Sequence, residues 1–68
     1  SILYLYECVI SANNGIEALY GAHVHMRNNT GSNDGTALIA LRGAVISKEG
    51  TVPSGTTAES TGSGGVIR

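Results

Sequence analysis

The residues that could do chemistry in this chain are few: His23 and His25 with Arg27 two positions on, the tyrosines Tyr4 and Tyr6, and the carboxylates Glu7, Glu17, Asp34, Glu49 and Glu59. His23 and His25 fall two apart, so on a strand they share a face with their Cβ atoms about 7 Å apart. Two imidazoles so placed could begin a metal bridge, yet no third ligand of suitable type follows nearby, and no metal is expected. Histidine also changes charge between about pH 5 and 8, although nothing in the pattern selects a sensing role. Tyr4 and Tyr6 share a face in the same way and would serve either as a stacking platform for a sugar or as packing against a neighbouring chain. Cys8, the single cysteine, has no Lys, Arg or His beside it in sequence, which favours a small buried hydrophobe over a reactive thiol.

What positions these residues is a repeat. Gly21-Ala22-His23-Val24, Gly43-Ala44-Val45-Ile46 and Gly64-Gly65-Val66-Ile67 are three versions of one pattern at nearly even intervals. Each reads as a tight corner feeding a short strand. Asn14-Gly15 and Asp34-Gly35 are set apart by almost the same interval and each opens an apolar run, a second mark near the same beat. Two landmarks recurring near one period, about 20 to 22 residues, are the signature of a solenoid. Gly15, Gly21, Gly35, Gly43, Gly64 and Gly65 are accordingly expected at structural corners.

Helix signals are nearly absent, because glycines or paired asparagines interrupt every window with a helical apolar period. Strand signals are frequent: Ile2 to Ile10 is rich in Tyr, Leu, Val and Ile, and Ala22, Val24 and Met26 alternate with His23, His25 and Arg27. The expected class is all-β, a short parallel β-helix of about three coils with His23, His25 and Arg27 outward. Residues 37 to 41, Ala-Leu-Ile-Ala-Leu, offer no polar face, and a strand apolar on both sides needs cover on both. Cover by another copy would make the chain a homo-oligomer, intertwined or packed; the alternative is a compact sandwich with this strand at its centre.

The 68 residues form one domain, 1–68, and are expected to bury little core for their ordering cost. One cysteine excludes an intramolecular disulfide framework. Both ends look cut, which suggests a fragment of a longer chain. A net charge of −1 and four scattered basic residues, Arg27, Arg42, Lys48 and Arg68, argue against nucleic acid. No apolar run approaches the roughly 20 residues of a membrane span, and no cofactor is expected. Asn28-Asn29-Thr30 matches the glycosylation sequon but reads as a corner.

The stretch from Gly43 to Arg68, with Gly43-Ala-Val-Ile-Ser-Lys-Glu-Gly50, then Pro53-Ser-Gly-Thr-Thr and Gly64-Gly-Val-Ile, resembles the coils of right-handed parallel β-helices in bacteriophage tail fibres and tailspikes. The Asn14-Gly15-Ile16 and Asn33-Asp34-Gly35 corners, with Gly21-Ala22 and Gly43-Ala44, are similar to the rhythm of the same coils. The resemblance implies a virion appendage, extracellular and commonly trimeric, that meets polysaccharide on a bacterial surface. It makes Tyr4, Tyr6, His23, His25 and Arg27 the candidate carbohydrate-binding residues. Some such proteins cleave the glycan, and cleavage requires two carboxylates about 5–9.5 Å apart. At the coil period no two acids coincide: one interval after Glu17 the chain has Ala37. No catalytic residue is assigned, and the reading leans away from an enzyme for this segment alone. The alternatives are part of a polysaccharide depolymerase and a fragment of a bacterial adhesin.

Overall fold

A computed structural model describes residues 2–68. Seven strands follow one another without a helix: β1 (Ile2–Tyr6), β2 (Ile16–Ala18), β3 (His23–Arg27), β4 (Ser32–Leu41), β5 (Val45–Glu49), β6 (Ser54–Gly62) and β7 (Val66–Ile67). Odd and even strands separate into two sheets, ordered β1-β3-β5-β7 and β2-β4-β6. All pairings are parallel, and each strand lies over the one a coil earlier: His23 over Ile2, Val45 over His23, Val66 over Val45. This is a parallel β-solenoid of about three coils.

The corners repeat with the strands. Tyr20, Arg42 and Ser63 have φ of 54, 56 and 50°, and the glycines that follow them, Gly21, Gly43 and Gly64, have φ of 76, 78 and 82°. Two successive left-handed residues turn the chain sharply, and the second falls to glycine for its φ, since a Cβ on Gly21 or Gly43 would touch nothing. Stacking is direct: the Gly21 N–H donates to Arg42 O and the Gly43 N–H to Ser63 O, both at 3.1 Å. Gly65 and Gly15 answer to a different constraint. A Cβ on either would run into a backbone carbonyl of the neighbouring coil, Ala40 O or Ala37 O.

Inside, the ladders run through the stack. Leu3, Val24, Ile46 and Ile67 share one register, and Val24 and Ile46 are buried. On the other sheet Ala18 lies under Ala40 and Ile16 under Leu38. The buried apolar set is Ala18, Val24, Met26, Ala37, Leu38, Ala40, Ala44 and Ile46, mostly from strands with a neighbour on each side, β3, β4 and β5. Two ladders change character in the last coil. Leu5–Met26 continues to Lys48 and Ile16–Leu38 continues to Glu59, and there the two side chains form an ion pair.

Polar groups inside are fully used. Asn29 is completely buried; its Oδ1 accepts from the Cys8 N–H at 2.9 Å and its Nδ2 donates to Leu5 O at 2.9 Å. Asn33 accepts from the Ala12 N–H and donates to Ile10 O and Ser54 O. These amides bond corner groups that lie outside the strands, the Cys8 and Ala12 N–H and Ile10 O, as well as strand carbonyls of neighbouring coils. Among the described residues no buried side-chain N or O lacks a partner.

Three expectations are corrected. The Ile2 to Ile10 strand ends at Tyr6, because Glu7 adopts φ 56° at a second corner that recurs at Asn28 (53°) and Gly50 (70°). Cys8 is therefore half-buried in a corner, its Sγ 3.4 Å from Tyr6 O, and not a core hydrophobe. The interval between Asn14-Gly15 and Asp34-Gly35 is not a coil repeat: Gly15 donates to Thr36 O, while Gly35, inside β4, donates to Asn13 O. The register of β4 shifts between Asn33 and Thr36, which moves the second Asx-Gly out of step. In residues 37 to 41, Ala37, Leu38 and Ala40 are buried within the chain, while Ile39 and Leu41 stay half-exposed on the outer side.

Candidate functional site

The alternation of β3 sends Val24 and Met26 inward, so His23, His25 and Arg27 must stand on the outer face. Parallel pairing then sets β1 beside them: Tyr4 opposite His25 and Tyr6 opposite Arg27. The five candidate residues form one continuous patch. The Tyr4 and His25 rings are stacked, centroids 5.0 Å apart at 23°, and Tyr4 meets Tyr6 edge to face at 6.1 Å. His23 and His25 stand edge to face at 5.8 Å. The Arg27 guanidinium lies over the Tyr6 ring, 4.5 Å from its centroid, a cation–π contact.

The patch is open to solvent. Tyr4 is 59% and Tyr6 47% exposed, although both are large amphipathic side chains that could have been spent on packing. Beyond them the period extends the site to residues that pattern reading passed over. Adding one coil to His25 reaches Ser47 and adding one to Arg27 reaches Glu49. Arg68 then joins the row, its Nε donating to Ser47 Oγ at 3.3 Å. Tyr6, His25, Arg27, Ser47 and Glu49 border a shallow open depression on this face. The signal was present in the spacing of the glycine corners, which places any outward residue beside its counterpart a coil later.

Chemically the patch combines ring faces, imidazoles, a hydroxyl and guanidinium groups. His23 and His25 are joined by no third metal-ligating side chain among the described residues. The carboxylates do not gather: Glu17 lies beside Ile39, Glu59 beside Leu38 and Glu49 beside Arg27. Hence none of these acids faces another across adjacent coils. A second aromatic–cation contact, Arg42 at 5.3 Å from the Tyr20 centroid, decorates the corner that precedes β3. In the sequon the acceptor position is Asn28, which stands exposed at a corner with φ 53°, while Asn29 beside it is buried with both ends of its side chain bonded.

Gly21, Gly43 and Gly64 lie at the corners and take no part in the patch. Comparison of the chain with protein-family models, with curated proteins and with solved structures gives no match.

Proposed function

We propose that the chain is a structural or host-attachment segment of a bacteriophage tail fibre or tailspike, contacting bacterial surface polysaccharide through the outer face of β1, β3 and β5. The observation that carries the reading is the Tyr4, Tyr6, His23, His25 and Arg27 patch, an exposed aromatic surface with hydrogen-bonding groups interleaved. Apolar sugar faces stack on aromatic rings while hydroxyls need donors and acceptors at the rim, and this patch offers both. The coil pattern of Gly43 to Arg68 supports the appendage, since a solenoid extends by repetition and presents long flat faces. On this reading the chain works outside the bacterial cell, on the virion, in a homotrimer. Exposed Ile2, Leu3 and Val9 offer apolar surface to a neighbouring chain.

Attachment is preferred to cleavage because the register leaves Glu17, Glu49 and Glu59 without acidic neighbours. The test is binding of the purified chain to capsular or lipopolysaccharide glycans of candidate hosts, compared with a Tyr4→Ala/Tyr6→Ala variant. Binding reduced tenfold or more by the double change, with circular dichroism unaltered, supports the reading. Equal binding by both proteins would reject it.

A further inference from the structure

Arg27 is placed unlike an ordinary surface arginine. Register sets it between Tyr6 and Glu49, and Glu7 follows Tyr6 at the corner, so two carboxylates are close at hand. Yet the one ion pair among the described residues is Lys48 with Glu59, and the Arg27 guanidinium lies over the Tyr6 ring instead. A guanidinium held against an aromatic face keeps its N–H edge available, and that edge matches a carboxylate in bidentate geometry. The depression bordered by Arg27, Ser47 and Glu49 opens beside it. Further along the same face Arg68 adds a second cation, held to Ser47. Tyr4 and Tyr6 begin the surface on the other side, both largely exposed, each with one ring face taken, by His25 and by Arg27 respectively, and the other left for a ligand.

Resting on the glycan-attachment reading, we infer that the patch reads an acidic sugar, with a hexuronate carboxylate received by the guanidinium edge of Arg27 and sugar ring faces laid on Tyr4 and Tyr6. A neutral sugar could use the tyrosines and Ser47 alone. It would leave the stacked guanidinium without an anionic partner, which is the feature the proposal explains. Glu49 is the built-in competitor: it stands one coil from Arg27 and repels an incoming carboxylate.

The experiment titrates the protein with a uronic-acid oligosaccharide and with the same oligosaccharide after reduction of its carboxyl groups to alcohols. The expected result is binding of the acidic form about tenfold tighter or more, the order of one charge-assisted hydrogen bond, and weakened by added salt. Arg27→Gln should bring the acidic form down to the affinity of the reduced one, Arg27→Lys should recover only part, and Glu49→Gln should tighten the acidic form alone. Equal affinity for the two forms overturns the acidic-sugar inference while leaving glycan attachment standing. Failure to bind either oligosaccharide, together with failure on host glycans, overturns both. Because Arg27 and Glu49 are exposed, the variants are expected to fold, and Glu49→Gln tests the idea by a gain that misfolding could not imitate.

Discussion

Replacing Asn29 by alanine is the sharpest test of how the coils are held. Its side chain is fully buried and makes two bonds into the preceding coil, from Cys8 N–H and to Leu5 O, each at 2.9 Å. Alanine leaves the Cys8 N–H, at the corner beyond β1, and the Leu5 O, near the end of β1, without the partner Asn29 supplied. At about 1–3 kcal/mol for each unsatisfied buried group, the loss is about 2–6 kcal/mol. A chain of 68 residues has a total stability of roughly 3–10 kcal/mol at about 0.05–0.15 kcal/mol per residue. Urea unfolding followed by circular dichroism, with a slope of about 1 kcal/mol per molar for so small a protein, should show the midpoint lowered by about 2 M or the transition abolished. Asn29→Asp separates the bonds: an oxygen still accepts from Cys8 N–H, but the group facing Leu5 O now donates only when protonated. Burial raises the folded-state pKa of the new carboxyl above its unfolded value, so its stabilising bond is present below the unfolded pKa and is lost as pH rises through the folded pKa. The variant should therefore lie closer to wild type at pH 4 than at pH 7. A loss below about 1 kcal/mol for Asn29→Ala would refute the view that this amide closes the corner.

Gly43→Ala forces a Cβ into φ 78° with no collision, so a loss of about 1–2 kcal/mol is expected, measurable as a lower melting temperature; Gly65→Ala, whose Cβ meets Ala40 O, should cost more than Gly43→Ala. Replacing Lys48 and Glu59 together by Met and Leu removes the ion pair from positions stacked on Met26 and Leu38 and should leave an apolar end that self-associates, seen by light scattering as a higher mass at equal concentration. Leu38→Asp places an unpaired charge in a fully buried site and should unfold the chain at a cost of several kcal/mol, read as loss of the strand signal in circular dichroism. Changing Glu17, Glu49 and Glu59 singly to Gln should leave attachment to host cells no weaker than within a few-fold, whereas loss of glycan cleavage by a factor of about 10² or more in any one would indicate a catalytic acid or base.

The parts of the fold legible in the sequence were those written in backbone chemistry. Gly21, Gly43 and Gly64 mark left-handed corners that few residues occupy cheaply, so their spacing reports the coil directly. The outward turn of His23, His25 and Arg27 followed from alternation with Val24 and Met26. Gly15 and Gly35 misled because glycine has two uses. Both are close approaches to neighbouring backbone, and the register shift in β4 lets two unrelated approaches imitate a repeat. The Glu7 corner left no sign, because a glutamate there carries the strain that Asn28 and Gly50 bear more easily at the same place in later coils. Asn29 was equally silent: a buried amide looks like a turn residue until its two partners, Cys8 and Leu5 in the coil before, are known. Of the patch, the five residues in β1 and β3 could be named one by one. Ser47, Glu49 and Arg68 needed the coil offset, which alternates slightly and is settled only by the register.

Polarity changes along the solenoid axis on both sides of the β1-β3-β5-β7 sheet. On the inner side Leu5 and Met26 give way to Lys48, as Ile16 and Leu38 do to Glu59 on the facing sheet. The side chains of that pair are 31% and 36% exposed, where water reaches the end of the stack and an ion pair is cheaper than bare leucine. On the outer side Tyr4 gives way to His25, then Ser47, with Arg68 closing the row. Strand spacing of about 4.8 Å sets the step between successive groups in that row. A ligand lying along the axis would thus pass from ring faces to imidazole to hydroxyl and guanidinium, one contact per coil. A ligand lying along a strand would instead meet Tyr4 and Tyr6 together, or His23, His25 and Arg27 together, and never the full set. On the proposed attachment reading, a glycan that receives its carboxylate at Arg27 would follow the neighbouring axial row, Tyr6 to Arg27 to Glu49, with Tyr4 and His25 flanking it, so the axial orientation brings each kind of group within reach of one linear ligand.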